Sequence, residues 1–340
     1  MLLAEPRGFC AGVEMAIKAL AWMVRIFEPP VYCYHEIVHN RLVVDRFRDL
    51  GVVFVDDLDH VPPGAPLMLS AHGSPPDVVT EAQSKGGFVV NAVCPLVTKV
   101  HHEAKVRAGK GFQIVYVGHD GHDEAMGTMA VAPEAMHLVE TVEDVAKLDL
   151  DGRPMALLAQ TTLSHFDWAD VLAAARARFP DMWVPGRSDL CYATTNRQSA
   201  LKSIAVRADA IIVIGSSNSS NTVALEKVAR GSGCAVVYRV NAADELPDDL
   251  SGTVGLTAGA SAPEELVQAV IQRLAPRLGV EYVQVTEEDE YFPLPPELRE
   301  FVPAVAAAFA LGAWAVPPAR SAIAHDRSTA ASDVLAKLTA

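Results

Sequence analysis

The chain has 340 residues, is 50% hydrophobic and 21% charged, and carries a formal net charge of −14. That excludes a disordered chain and leaves room for two or three ordinary domains. It also argues against sequence-independent nucleic-acid binding, which needs clustered Lys and Arg, and means that any anionic ligand must be held by local donors.

No export signal opens the chain: a short apolar run leads at once into Glu5, Arg7, Gly8 and Cys10. A cytoplasmic protein is expected, with its five cysteines reduced. Cys10 lies at a turn-like junction before a helix-like stretch, within Arg7-Gly8-Phe9-Cys10-Ala11-Gly12. Cys33 sits in an apolar segment and reads as core. His39 follows in a loop-like setting, Glu36-Ile37-Val38-His39-Asn40-Arg41.

From there, strand-like apolar runs alternate with helix-like stretches, the pattern of an α/β protein with mostly parallel sheets. Residues 66–70 lead into Ala71-His72-Gly73. A second junction cysteine stands in Cys94-Pro95-Leu96-Val97-Thr98-Lys99. Residues 113–117 lead into Gly118-His119-Asp120-Gly121-His122-Asp123-Glu124, and residues 155–159 into Gln160-Thr161-Thr162. The third junction cysteine opens Cys191-Tyr192-Ala193-Thr194-Thr195-Asn196-Arg197-Gln198. Residues 210–214 lead into Gly215-Ser216-Ser217-Asn218-Ser219-Ser220-Asn221, Cys234 reads as core, and residues 255–257 lead into Ala258-Gly259-Ala260-Ser261. Small, polar and imidazole side chains thus recur just past the carboxyl ends of strands, where open α/β sheets bind ligands.

Cys10, Cys94 and Cys191 recur at intervals of about 90 residues, an ordinary domain length. We read three related α/β lobes, each lending one cysteine to a common centre: residues 12–94, 95–187, and 188–300 together with 1–11. Any one of these cysteines alone reads more readily as a buried small hydrophobe. Taken together, three thiolates suit an iron–sulfur cluster with one open iron or zinc with one open position, and spacing does not choose between them. Residues 301–340 form an Ala-rich extension punctuated by Pro303, Pro317 and Pro318. Its apolar stretch falls short of the roughly 20 residues of a membrane span, and a peripheral helix or loose tail is expected.

Imidazoles at 39, 72 and 122 can donate to phosphate oxygens where no dense Lys or Arg cluster is available. Ser219, Ser220, Asn221 and Ser261 suit a diphosphate cradle, and the same Ser/Asn loop suits a helix cap. Glu124 can donate a proton if burial raises its pKa; the alternative is an exposed loop glutamate. Thr161 can position or relay that proton.

These motifs, in this order, resemble the family of 4-hydroxy-3-methylbut-2-enyl diphosphate reductases, the last enzymes of the non-mevalonate isoprenoid route. The set also includes Pro6-Arg7-Gly8-Phe9-Cys10, His35-Glu36-Ile37-Val38-His39-Asn40, Gln160-Thr161-Thr162-Leu163 and Thr257-Ala258-Gly259-Ala260-Ser261-Ala262-Pro263. The resemblance runs from Met1 to about Arg299 and finds no counterpart for the extension. It implies three α/β lobes around one 4Fe–4S cluster per chain, with Cys10, Cys94 and Cys191 as ligands and one open iron. It implies that His39, His72, His122, Ser219, Ser220, Asn221 and Ser261 bind an allylic diphosphate, with Thr194 a weaker phosphate contact. It gives Glu124 and Thr161 to proton delivery, and a ferredoxin or flavodoxin type protein to electron donation. The competing readings are an iron–sulfur or zinc (de)hydratase or hydrolase, and an iron–sulfur redox sensor.

Overall fold

Short runs of β-branched and other apolar residues, bounded by Gly, Pro or Ser, form the strands. In the computed structural model, residues 1–149, 152–312 and 323–338 are described. The strands are β1 (Leu2–Glu5), β2 (Val31–Tyr34), β3 (Val52–Val55), β4 (Leu67–Leu69), β5 (Val89–Asn91), β6 (Gln113–Val117), β7 (Met136–Val139), β8 (Met155–Ala159), β9 (Ala210–Ile214), β10 (Val236–Val240), β11 (Val254–Ala258) and β12 (Glu281–Gln284). They pair into three sheets, ordered β10-β9-β11-β1-β12, β3-β2-β4-β5 and β7-β6-β8. Every strand pairing in them is parallel. Parallel neighbours need crossovers rather than hairpins, and helices supply most of them. The fold is the expected α/β class.

The described chain divides into two compact units. The first comprises Met1–Cys10, Ser74–Pro76 and Leu96–Glu288, and holds the five-stranded and three-stranded sheets. Its strand β9, Ala-Ile-Ile-Val-Ile, is buried throughout, as a strand covered on both faces must be. One face packs Leu2, Ile211 and Val213 against Leu201 and Ile204 of helix Tyr192–Ala205 and Leu225 of helix Ser220–Gly231. The other packs Leu3, Ile212 and Leu256 against Val267 and Val270 of helix Glu264–Leu274. The three-stranded sheet is covered likewise, by Val171 and Ala175 of helix His165–Arg178 and by Val100 and Ala104 of helix Pro95–Gly109. Each such aliphatic side chain contributes about 1.5–3 kcal/mol by leaving water. The two layers fix the strand ends that carry the polar loops.

The second unit comprises Ala11–Gly73, Asp77–Pro95 and Asp289–Ala340, and holds the four-stranded sheet. Here the described parts of the C-terminal segment are docked. Helix Ala331–Leu338 buries Ala331 and Leu335. The Ala331 amide donates to Glu14 Oε2 at 2.7 Å, and Lys18 Nζ donates to the carbonyls of Asp326 and Thr329 at 2.9 and 3.1 Å. Both acceptor and donor side chains belong to helix Ala11–Ile26. Phe301 lies against Phe27 and Phe88, with centroids 6.0 and 4.6 Å away. Among the described residues no helix is long and apolar enough to cross a membrane. Of the apolar stretch 301–316, residues 313–316 lie outside the described residues.

Candidate active site

All three junction cysteines occupy the same local position. Cys10 directly precedes helix Ala11–Ile26, Cys94 precedes helix Pro95–Gly109, and Cys191 caps helix Tyr192–Ala205. A helix start leaves amide N–H groups without intrahelical partners and carries partial positive charge, which favours a thiolate. At Cys191 the arrangement is explicit: the Thr194 amide donates to Sγ at 3.3 Å, and the Thr194 hydroxyl lies 3.1 Å from it. Burial nonetheless pushes the Cys191 thiol up to about 11, and the nearby Cys10 adds to the rise. Cys33 and Cys234 are buried in core, as their apolar settings predicted.

Glu124 stands in the first turn of helix Asp123–Met129, only 2% exposed, so the alternative of an exposed loop glutamate does not hold. Both carboxylate oxygens are engaged by one residue. The Thr161 amide donates to Oε1 at 2.7 Å and the Thr161 hydroxyl donates to Oε2 at 2.9 Å. Burial outweighs those donors, and with a smaller push from Asp189 the Glu124 pKa rises from 4.5 to about 7. A carboxyl so poised is a competent proton donor near neutrality. The Thr161 carbonyl in turn accepts from the Cys191 amide at 3.0 Å, joining acid, threonine and cysteine loop in one chain of bonds. His122 caps the same helix, its Nδ1 accepting from the Glu124 amide at 3.1 Å. A neutral His122 therefore carries its proton on Nε2.

The Ser/Asn loop behaves as a cap and more. Ser219 Oγ accepts from the Thr222 amide at 3.4 Å at the start of helix Ser220–Gly231. Buried Asn221 accepts from the Ala260 amide at 2.8 Å and brings its Nδ2 to 3.5 Å from Thr194 Oγ1. That ties the Asn221 loop to the loop of Ser261 and to the cysteine helix. The hydroxyl of Thr194 is thus occupied by Cys191 and Asn221.

Four residues at the site had no role assigned from sequence. Gln160 is fully buried; its Oε1 accepts from the His119 amide at 2.9 Å and its Nε2 donates to Thr162 Oγ1 at 2.9 Å and Ser220 Oγ at 3.0 Å. Asp189 accepts from the Ala159 amide at 3.1 Å and from Lys99 Nζ at 3.3 Å, and burial raises its pKa against the pull of Lys99. Arg197 is the fourth. Gln160, Lys99 and Arg197 lie inside motifs that could have flagged them; Asp189 carries no local signal beyond standing near a cysteine.

In the second unit, His39 and His72 stack with ring centroids 3.9 Å apart and planes 9° from parallel. His39 Nδ1 lies 3.5 Å from Glu36 Oε2. The Cys94 amide donates to the Ala71 carbonyl at 3.0 Å, which holds the cysteine loop beside the His72 loop. All three residues follow strands of the four-stranded sheet. The first unit thus brings together Cys10, Cys191, Glu124, Thr161, Thr194, Ser219, Ser220, Asn221, Ser261 and His122, and the second brings together His39, His72 and Cys94.

Half-buried cysteines at helix starts have the donor chemistry of soft metal centres such as iron–sulfur clusters. The family model described as LytB protein matches residues 1–275. A protein of Cereibacter sphaeroides named 4-hydroxy-3-methylbut-2-enyl diphosphate reductase is 48% identical over 307 residues, covering 88% of this chain and 96% of its own. A Rhodopirellula baltica protein of the same name is 48% identical over 315 residues, covering 91% and 98%. Among solved structures, the E-1-hydroxy-2-methyl-but-2-enyl-4-diphosphate reductase from Plasmodium falciparum superposes with a TM-score of 0.87 at 33% identity, covering 90% of this chain and 98% of that one.

Proposed function

The chain belongs to the LytB family, and from that premise we propose how its own residues carry out the reaction of a 4-hydroxy-3-methylbut-2-enyl diphosphate reductase. It is an iron–sulfur enzyme that removes the hydroxyl group of (E)-4-hydroxy-3-methylbut-2-enyl diphosphate by two-electron reduction, giving isopentenyl and dimethylallyl diphosphates. The observation that carries the proton-delivery assignment is the Glu124–Thr161–Cys191 chain, which joins a protonatable carboxyl to a cysteine loop.

Cys10, Cys94 and Cys191 are assigned as the three ligands of one 4Fe–4S cluster per chain, with one iron left open. When bound, the cluster supplies electrons to the allylic system and Lewis acidity toward the departing hydroxyl. The protein supplies position and protons. The diphosphate is assigned to Ser219, Ser220, Asn221 and Ser261, to the Nε2 side of His122, and to His39 and His72, with Thr194 in support through Cys191 and Asn221. Neutral hydrogen-bond donors of this kind answer the problem of a chain with net charge −14. The balance requires two electrons and two protons. One proton, from Glu124 held by Thr161, lets oxygen leave as water; the other ends on carbon at either end of the allyl group. Electrons come from a ferredoxin or flavodoxin type donor. Five free cysteines suit a reducing compartment, here the cytoplasm.

Lobes at 12–94, 95–187 and 188–300 with 1–11 are assigned because the strands of each sheet fall within one of these ranges, leaving 301–340 as an extension. The reaction is tested by incubating iron-replete protein anaerobically with a low-potential chemical reductant and identifying products. Isopentenyl and dimethylallyl diphosphates formed only with reductant support the reading. No turnover, or turnover without reductant, overturns it.

A further inference from the structure

Arg197 is the largest fully buried side chain among the described residues, at 0% exposure. A buried guanidinium must place its five N–H donors, and their acceptors show what it is for. Nε and one terminal nitrogen donate to the Gly8 carbonyl at 3.0 and 2.8 Å, and that same terminal nitrogen reaches the Phe9 carbonyl at 3.1 Å. The other terminal nitrogen donates to the Ala193 carbonyl at 3.1 Å and to both Glu288 oxygens at 3.0 and 3.2 Å. Asn196 Nδ2 also donates to Glu288, at 3.0 Å.

Gly8 and Phe9 are the two residues directly before Cys10, and Ala193 lies in the first turn of the helix that Cys191 caps. One side chain therefore grips the backbone of both cysteine segments. The Cys10 segment is also laced on its amide side: the Gly8 amide donates to the Ala258 carbonyl and the Cys10 amide to the Ala260 carbonyl, both at 3.2 Å. Gly8 turns with φ +66°, a conformation glycine takes without strain. Carbonyls on one side and amides on the other leave this segment little freedom.

We propose that Arg197, anchored by Glu288, is a positioning residue that presets the separation of the Cys10 and Cys191 sulfurs for capture and retention of the iron–sulfur cluster. The proposal rests on the assignment of those two cysteines as ligands. A planar fork is needed for it. Lysine keeps the charge with one nitrogen and cannot hold the carbonyls of Gly8, Phe9 and Ala193 together.

The test uses anaerobically reconstituted protein and follows iron loss to a chelator by visible absorbance, with the electron paramagnetic resonance signal of the reduced cluster as a second readout. Arg197→Lys is compared with Leu225→Ala, a core truncation in the same unit on a helix that carries no cysteine. Outer contacts of this kind commonly contribute about 10–100-fold to metal retention. Arg197→Lys is therefore expected to lose iron about tenfold faster or more and to alter the resonance signal. Leu225→Ala lowers the thermal midpoint but keeps the wild-type rate and signal. Equal iron-loss rates in the two variants overturn the proposal. If Arg197→Lys does not fold, Glu288→Ala decides by the same readout: faster loss supports the role, and a wild-type rate overturns it. Cys10→Ser separates the premises. A retained cluster there defeats the ligand assignment and the proposal with it. A lost cluster, with Arg197→Lys behaving like the core control, defeats the positioning role alone.

Discussion

Glu124→Gln removes a charge while leaving the shape of the site. A glutamine oxygen still accepts from the Thr161 amide, and its amide nitrogen still faces the Thr161 hydroxyl. What changes is ionisation. Burial raises the Glu124 pKa from 4.5 to about 7 in the folded chain. The folded state therefore binds this proton more tightly than the unfolded state. Any stability it contributes is fully present below pH 4.5 and is lost as pH rises through about 7. At about 1.4 kcal/mol per pKa unit, the ionised carboxylate costs the fold on the order of 3 kcal/mol above that range. Glutamine does not titrate, so its stability relative to wild type should improve by about that amount across the same window. The assay is the thermal midpoint of the metal-free chain as a function of pH, for both proteins. Turnover should fall about 10²-fold or more while iron content and substrate affinity persist, since a general acid has been removed. Parallel stability curves for the two proteins, together with turnover near wild type, would refute both the burial argument and the assigned role.

Two further outcomes are expected. Asn221→Ala leaves the Ala260 amide without its 2.8 Å acceptor and frees the loop of Ser261, so KM should rise about tenfold or more while iron content holds; an unchanged KM in steady-state kinetics contradicts the diphosphate assignment. Lys18→Met strips a buried ammonium from two carbonyls and from Glu14 and Asp326, which lie 3.6 and 3.8 Å away, so denaturant unfolding should show a loss of about 3 kcal/mol. A variant as stable as wild type would mean that the docked C-terminal segment does not depend on this lysine.

The α/β class was legible because the apolar runs are short, end in polar loops and alternate with helix-like stretches. The core character of Cys33 and Cys234 was legible from their apolar neighbours. What sequence could not show is where long-range partners fall. Arg197 meets Gly8 from 189 positions away, and Lys18 meets Asp326 from 308. Neither partner leaves a periodic trace. Burial of Glu124 was equally hidden, because a Gly-containing loop with three acidic residues reads as exposed until the neighbouring strand ends close over it. Within the unit that holds the five-stranded and three-stranded sheets, polar contacts join their loops, among them Gln160 with Ser220, and hydrophobic patterning does not encode those. The Ser219 loop allowed two readings from sequence; its capping bond to Thr222 realises one of them and leaves the short side chains of the other in place.

The most direct test of the account counts iron and sulfide per chain in anaerobically prepared wild-type protein and in five cysteine variants. Wild type, Cys33→Ser and Cys234→Ser should each hold about four irons and a matching amount of sulfide, while Cys10→Ser, Cys94→Ser and Cys191→Ser should lose most of both. Full iron content in any of the last three, or its loss in Cys33→Ser with the fold intact, would contradict the ligand set on which the mechanism stands.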